Sequence, residues 1–290
     1  MPDSQKDIWH QWLLERRFGG DPARMKMVTD YLYPIRDKVL SHIHLEENET
    51  LLDVGSGDGL ISFGALDKFE KCRVIFSDIS QDLLRHSENL AQEMNVRDRC
   101  QFVCASADDL SVLENESVDA VTTRSVLIYV AAKRQAFNEF YRVLTAGGVL
   151  SIFEPINRFA FPEPPDRYEG FDVTAVAEIA QKLVALWQRI QPDTDPMVDF
   201  DERDLISYVE KAGFSEIHLE LMADIRPMEK EDWSAYIHSA WNPKVPTLEE
   251  AMQEVLTPQE IETFSNHLRP LVETGQGTHR LAVAYLWAVK

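Results

Sequence analysis

Short apolar runs alternate with segments of helical periodicity along residues 49–154. The runs end at glycines or polar residues, and they predict strands at 51–54, 72–78, 100–105, 118–123 and 149–154. Between them, apolar residues recur every three or four positions, as at Leu83, Leu90 and Met94, which predicts helices. Because strands and helices alternate, we expect an α/β fold with a doubly wound parallel sheet and helices on both faces.

The pattern changes on both sides of this region. One amphipathic helix is predicted at 4–17, and a second begins at Asp21 and Pro22, where Pro34 should kink or divide it. Beyond residue 154, the periodicity predicts helices at 173–190, 201–213, 232–241, 248–256 and 258–271. It also predicts strands at 216–222 and 279–289, and the second is apolar enough to be buried on both faces.

A glycine-rich loop follows the first predicted strand. Gly55, Gly57 and Gly59 allow a tight turn and let a ligand approach the backbone, but their spacing differs from the G-x-G-x-x-G dinucleotide fingerprint. Asp53 and Asp58 flank the turns, and the loop contains no lysine or arginine. This charge pattern disfavours a pyrophosphate and favours a cationic ligand.

The D-x-G-x-G-x-G pattern at residues 53–59 resembles motif I of the class I methyltransferases that use S-adenosylmethionine (SAM). SAM carries a sulfonium and an ammonium group and no phosphate, so the resemblance agrees with the charge pattern. It implies a Rossmann-like, mostly parallel sheet of seven strands with an antiparallel last strand, together with N-terminal helices and helical insertions. It also implies that SAM is the cofactor and that S-adenosylhomocysteine is its product.

This resemblance predicts how the chain is organised. A SAM-binding core at 49–154 continues at 201–224 and ends with the final strand at 279–290. The other parts are a helical cap at 1–48, an insertion at 155–200 and a helical insertion or lid at 225–278.

The resemblance also implies a set of cofactor-binding residues. Asp78 ends the second strand, where an acidic side chain can accept both ribose hydroxyls. Family members often have Asp-Ala at positions 106 and 107 to meet the adenine; Ser106 departs from this, so Ala107 and Asp108 are expected to take over. The full predicted set is Asp53, Gly55, Ser56, Gly57, Gly59, Asp78, Ile79, Ser106, Ala107, Asp108 and Arg124.

Arg124 follows the fourth strand, in the segment that lines the methionine end of SAM and faces the substrate in the family. Such an arginine can pair with a carboxylate of the substrate, or with Asp53 or Asp58 in a structural ion pair.

Methyl transfer from a sulfonium depends mainly on proximity and alignment, and it needs a base only where the acceptor must lose a proton. Weak candidates for such a group are His10, Tyr33, Tyr129 and Glu154. The function predicted from the sequence is methyl transfer by in-line displacement to a small, partly apolar molecule. The alternative is a catalytically silent SAM-binding sensor or partner subunit; the glycine spacing disfavours a nicotinamide oxidoreductase.

Composition narrows the possible partners and the compartment. Across 290 residues the net charge is -20, which disfavours binding to nucleic acid. The three cysteines show no disulfide framework, and the histidines show no metal-ligand spacing, so we expect a reducing compartment and no metal. No apolar run is long enough to cross a membrane, and no signal segment is evident, so we expect a cytoplasmic protein without membrane contact.

Overall fold

The structure is a computed structural model that describes residues 6–17 and 22–290, without the side chains of residues 22–25, 27 and 28. Its strands are β1 (Thr50–Val54), β2 (Arg73–Asp78), β3 (Cys100–Cys104), β4 (Val118–Arg124), β5 (Leu144–Pro155), β6 (Arg167–Tyr168), β7 (Phe171–Asp172), β8 (Ser215–Pro227) and β9 (Thr278–Val289). The main sheet has the order β3-β2-β1-β4-β5-β9-β8, and β6 and β7 form a separate hairpin.

Strands β1 to β5 pair in parallel, whereas β9 lies antiparallel between β5 and β8. Parallel order with a single reversed strand confirms the predicted fold class. The strand order reverses direction at β1 and β4, so the carboxyl ends of these two strands open a crevice where open α/β sheets bind their ligands.

The helices are α1 (Ile8–Gln11), α2 (Pro22–Ser41), α3 (Leu60–Lys68), α4 (Gln81–Glu93), α5 (Lys133–Val143), α6 (Ala177–Ile190), α7 (Glu202–Ala212), α8 (Trp233–His238), α9 (Leu248–Val255) and α10 (Pro258–Thr274). One face of the sheet packs against α5 and α7, and the other packs against α2, α3 and α4. Helices therefore cover both faces, as the alternating pattern predicts.

A third cluster of buried residues joins α6, α9 and α10 with the β6–β7 hairpin, and α8 packs against it. We call these elements the helical body. The helical body combines segments from 155–200 and 225–278, which are predicted from the sequence to be two separate insertions. Strand β8 also runs to Pro227, beyond the predicted boundary at residue 224, because it continues to pair with β9 along the full hairpin.

The N-terminal segment differs from the expectation in two ways. Within the described residues, α1 is followed by a π-helical turn, Trp12–Arg16, rather than by a regular helix to residue 17; the predicted cap Asp21 lies outside the described residues. Helix α2 is continuous through Pro34, so the expected division at Pro34 is wrong. Leu32, Ile35 and Val39 are buried against the sheet, and this packing offsets the missing hydrogen bond.

A buried lysine joins α5 to the segment before α7. Lys133 is 3% exposed, and its ammonium donates to the carbonyls of Val130 and Pro196 at 3.0 and 2.9 Å and to the Asp199 carboxylate at 2.6 Å. It also lies 4.7 Å from the centre of the Phe200 ring. These contacts use all three donors of the ammonium, so its charge is compensated in the interior.

We therefore expect Lys133→Met to lower the free energy of unfolding by about 2–3 kcal/mol, because three acceptors lose a charged donor. Urea denaturation would measure the loss. Lys182→Met is the matched control, since Lys182 pairs with Glu260 at the surface, and it should cost at most about 0.5 kcal/mol. Equal losses for the two variants would show that burial of Lys133 adds nothing.

Candidate functional site

A cavity of about 1260 Å³ lies at the carboxyl edge of the parallel strands. Residues that directly follow β1, β2, β3 and β4 line one half of it, and α1, the π-helical turn, the β8–β9 hairpin and the helical body contribute the other half. Pockets for one small ligand typically enclose about 300–1,000 Å³. The cavity therefore has room for two small ligands side by side.

The glycine loop approaches the loop after β4 very closely. Gly55 has a φ of +66°, and a Cβ atom there would lie 2.2 Å from Cγ2 of Val126. Gly55 and Gly57 line the cavity, whereas Ser56 and Gly59 support the turn from behind. The Ser56 amide donates to the Ser77 carbonyl at 2.9 Å, and Gly59 is the N-cap of α3.

Asp53 lies behind the glycine loop and does not line the cavity. Its carboxyl group is 2% exposed and accepts hydrogen bonds from the Ser62 hydroxyl at 2.6 Å and the Thr122 hydroxyl at 3.0 Å. Burial raises its pKa to about 6, although these hydrogen bonds act in the opposite direction. Asp53 therefore ties the start of α3 to β4, beneath the loop.

Asp78 lines the cavity at the end of β2. One carboxylate oxygen accepts from the Gly57 amide at 2.9 Å and the other from the Ser80 amide at 2.8 Å. Burial raises the pKa of this carboxyl, and the two amide bonds oppose the rise. Because an ionised carboxylate offers about four lone pairs, each oxygen can accept a further hydrogen bond from a ligand.

The four residues that follow β3, at positions 105–108, line the same half of the cavity. The Ser106 hydroxyl donates to the Asp108 carboxylate, and Ala107 is buried beside them. Ile79, which directly follows β2, and Leu83 of α4 line the same cavity. The predicted neighbours Ser106 and Asp108 are thus joined to each other at the cavity wall.

The loop after β4 is held from below by Glu154. The fully buried carboxyl of Glu154 accepts from the amides of Val126 and Leu127 at 2.9 and 3.0 Å. The Ser125 amide donates to the Phe153 carbonyl at 2.9 Å. With these bonds Ser125 keeps a φ of +55°, a left-handed conformation that costs roughly 1–2 kcal/mol for a residue with a side chain. The loop that presents Arg124 and Val126 is therefore rigidly shaped.

Burial raises the pKa of Glu154 to about 7, against the effect of its backbone hydrogen bonds. Its second oxygen has no hydrogen-bond partner among the described residues, which favours the protonated form. From the sequence, Glu154 is predicted only as a candidate base, and this supporting role is not predicted. An acidic residue at the last buried position of an apolar strand was the available signal.

The four catalytic candidates, all in the described part of the chain, fall in different places, and only Tyr129 lines the cavity. Burial raises the pKa of Tyr129 to about 12, so at neutral pH its hydroxyl is protonated and available as a hydrogen-bond donor. His10 is buried beside His86, and Tyr33 lies on the surface under Arg36. Glu154 lies beneath the loop.

The N-terminal segment covers the cavity. Trp9 packs edge-on against Tyr129 with ring centres 5.0 Å apart, and the Trp12 indole donates to the Ala240 carbonyl at 2.6 Å. Asp7 accepts from the Ser80 hydroxyl at 2.7 Å and caps α1. The segment thus joins the start of α4 to the helical body, with both tryptophans in the cavity wall.

Comparison with known proteins agrees with this geometry. A family model described as a methyltransferase domain matches residues 52–152. The demethylmenaquinone methyltransferase of Clavibacter sepedonicus is 30% identical over 200 residues, which cover 67% of this chain and 78% of that relative. The chain belongs to the class I SAM-dependent methyltransferases.

Further similarities extend over most of this methyltransferase. A ubiquinone/menaquinone biosynthesis C-methyltransferase of Rickettsia typhi is 28% identical over 218 residues, covering 72% of this chain and 87% of the relative. The crystal structure of a putative methyltransferase from Bacillus halodurans superposes with a TM-score of 0.55 at 21% identity, covering 88% of this chain and 98% of that one, which shows the shared fold. The prediction of an enzyme of this family is confirmed.

Among the described residues, no cluster of three or more histidine, cysteine or acidic side chains is arranged to hold a metal ion. None of the helices described is both long and apolar enough to span a membrane.

The contact between Gly55 and Val126 yields a direct test. Gly55→Ala should lower the thermal midpoint strongly, because it adds a steric clash to the cost of a positive φ. Gly147→Ala is the matched control: its φ is +80°, but a Cβ there would have nothing within 4 Å. Gly147→Ala should therefore lower the free energy of unfolding by only about 1 kcal/mol. If both variants lose the same stability, the close approach is not a constraint.

Glu154 yields a test with pH. Its pKa is about 7 in the folded chain against an ordinary value of 4.5, so the folded state binds the proton more tightly. The free energy of unfolding should therefore fall as the pH rises from 4.5 to 7, on the order of 3 kcal/mol from this group. Glu154→Gln should remove this part of the pH dependence. Glu210→Gln, at an exposed position of α7, should leave it unchanged; a Glu154→Gln profile parallel to the wild type would contradict the assignment.

Proposed function

We propose that this methyltransferase transfers a methyl group from SAM to a small, partly apolar molecule by in-line displacement. The observation that supports this most directly is the two-sided cavity, with the strand ends on one side and the N-terminal segment, the β8–β9 hairpin and the helical body on the other, in which aromatic and aliphatic side chains outnumber charged ones. Its volume fits a cofactor and an acceptor together. The quinone-pathway names of two relatives agree with an apolar acceptor.

The residues around the glycine loop fit SAM. Asp78 has a free lone pair on each oxygen for the ribose hydroxyls, and Gly57 lets the backbone approach them. Ile79 and Leu83 offer apolar contacts, and Ala107 and Asp108, which line the same cavity, are the proposed contacts of the adenine ring. Asp53 does not reach the cavity, so its contribution is to hold the loop and add negative charge nearby. When bound, SAM supplies a methyl group activated by its sulfonium.

The protein's contribution to the reaction is alignment and exclusion of water. The loop after β4, fixed by Glu154, presents Ser125 and Val126 toward the cavity. Trp9, Trp12 and Tyr129 close the cavity on the N-terminal side. A rigid wall on one side and an aromatic cover on the other hold the acceptor in one orientation, which is the main requirement of an in-line displacement.

The acceptor half combines residues of the core sheet with residues of segments outside the core. Phe153 and Val283 extend from the sheet, whereas Phe171, Met228 and Val272 come from the helical body and the connections beside it. We infer that the helical body and the N-terminal cap select the acceptor, while the core at 49–154 binds the cofactor. Turnover of SAM to S-adenosylhomocysteine with apolar candidate acceptors would test the proposal, and binding without turnover across a broad panel would favour a silent binding protein.

Calorimetry tests the cofactor site. We expect SAM and S-adenosylhomocysteine to bind to one site, and NAD and ATP not to bind. Asp78→Ala should weaken the binding of S-adenosylhomocysteine by roughly 2–3 kcal/mol, because a charged acceptor for the two ribose hydroxyls is lost. Asp172→Ala is the matched control, since Asp172 also accepts the amide two residues on but lies at the surface. An unchanged affinity in Asp78→Ala would exclude this carboxylate from the ribose site.

A further inference from the structure

Arg124 stands out among the residues of the cavity wall. It ends β4, is partly buried and lines the cavity between the cofactor half and the acceptor half. Within residues 6–17 and 22–290, its side chain forms no ion pair or hydrogen bond. The structural ion pair with Asp53 or Asp58 considered above is thus not formed. Asp53 instead accepts hydrogen bonds from Ser62 and Thr122, and the charge of Arg124 lowers its pKa only through space, without a direct contact.

Several other cations of the cavity wall are neutralised or hydrated. Arg226 forms ion pairs with Asp224 at 2.9 Å and with Glu229 at 3.0 Å. Lys230 and Lys244 are exposed to solvent. Burial lowers the pKa of His279, which disfavours the charged form of this imidazole. Among these cavity cations, Arg124 is partly removed from water without an acidic partner in the described structure.

The acidic groups of the acceptor half have other partners. Glu169 accepts the Tyr236 hydroxyl at 2.5 Å, Asp232 caps α8, and Asp224 is bound to Arg226. A guanidinium without a directly bonded carboxylate in a half-enclosed cavity is unfavourable, and a sulfonium brought into the same cavity would add a second positive charge. A ligand anion would relieve both effects.

We propose that Arg124 binds an anionic oxygen of the methyl acceptor, so that the preferred acceptors are apolar molecules carrying a carboxylate or an ionised acidic hydroxyl. The planar guanidinium presents paired donors that suit such a group. Apolar neighbours such as Phe153, Val283 and Leu32 are positioned to contact the remainder of the molecule. Tyr31 also lines the cavity; burial raises the pKa of its hydroxyl, and the charges of Arg124 and Arg226 oppose the rise, which indicates that this phenol lies in the same part of the cavity as Arg124.

This inference rests on the proposed function, because it assumes that the second half of the cavity holds the acceptor. The same chemistry has a second source, the carboxylate of the methionine part of the cofactor. The two sources differ in one respect: S-adenosylhomocysteine contains that carboxylate, whereas 5′-methylthioadenosine lacks it. Comparing these two ligands therefore separates the cofactor from the acceptor.

The experiment uses the full chain saturated with S-adenosylhomocysteine and titrates it with matched acids and alcohols: decanoate against decanol, and 2-naphthoate against 2-naphthylmethanol. Calorimetry should show at least one acid binding roughly tenfold or more tightly than its alcohol, the scale of a charge-assisted hydrogen bond. Arg124→Met should abolish the preference and Arg124→Lys should retain part of it. Arg134→Met removes an exposed arginine of α5 and should leave the preference unchanged.

Three results would overturn the inference. If neither acid exceeds its alcohol while S-adenosylhomocysteine binds, Arg124 does not select an anion and the proposed function stands. If Arg124→Met weakens the binding of S-adenosylhomocysteine but not that of 5′-methylthioadenosine, and leaves the preference for acids over alcohols intact, the arginine binds the carboxylate of the cofactor. If the wild-type protein does not bind S-adenosylhomocysteine at all, the proposed function fails as well.

Discussion

The site depends on one buried carboxyl group beneath the loop that follows β4. Glu154 ends the buried part of β5 and accepts the amides of Val126 and Leu127, while Ser125 is held in a left-handed conformation. Without this acceptor, two amides at the bottom of the cavity would lack partners in the interior, which is costly for any backbone. The cost of burying the carboxyl is seen in its pKa of about 7. The strained loop after β4 and the buried Glu154 carboxyl therefore hold each other in a single conformation.

The conformation of the loop after β4 matters because the glycine loop packs directly against it and has almost no room to move. A single methyl group on Gly55 would enter the space of Val126, so the loops after β1 and β4 act as one surface. Asp53 strengthens the connection by joining the start of α3 to Thr122 of β4. The crevice between the two central strands is therefore a preformed wall, which reduces the ordering that ligand binding requires.

Local sequence patterns predicted the cofactor half of the cavity well, but they predicted poorly the segments that cover the other half. The glycine spacing, the acidic end of β2 and the alternation of strands are short-range signals, and the structure brings Gly55, Gly57 and Asp78 together as expected. Glu154 was noticed only as an acid, because its partners are amides that lie 28 and 27 residues away. Similarly, no periodicity indicates that two insertions share one hydrophobic cluster, since that depends on packing between distant segments.

Distance along the chain also explains why the acceptor is harder to infer than the cofactor. Trp12 donates to a carbonyl 228 residues away, and Asp7 reaches α4 across 73 residues, so the cover forms only after the core, the helical body and the N-terminal segment have docked. The cofactor half of the cavity, in contrast, is formed by the ends of neighbouring strands. One fold can therefore keep its cofactor chemistry while the surrounding segments change the acceptor. Arg124 lies where the two regions meet: it ends a core strand, and it lines the cavity to which the N-terminal segment and the helical body also contribute, so the proposed anion contact would link the sequence of the core directly to the acceptor chemistry.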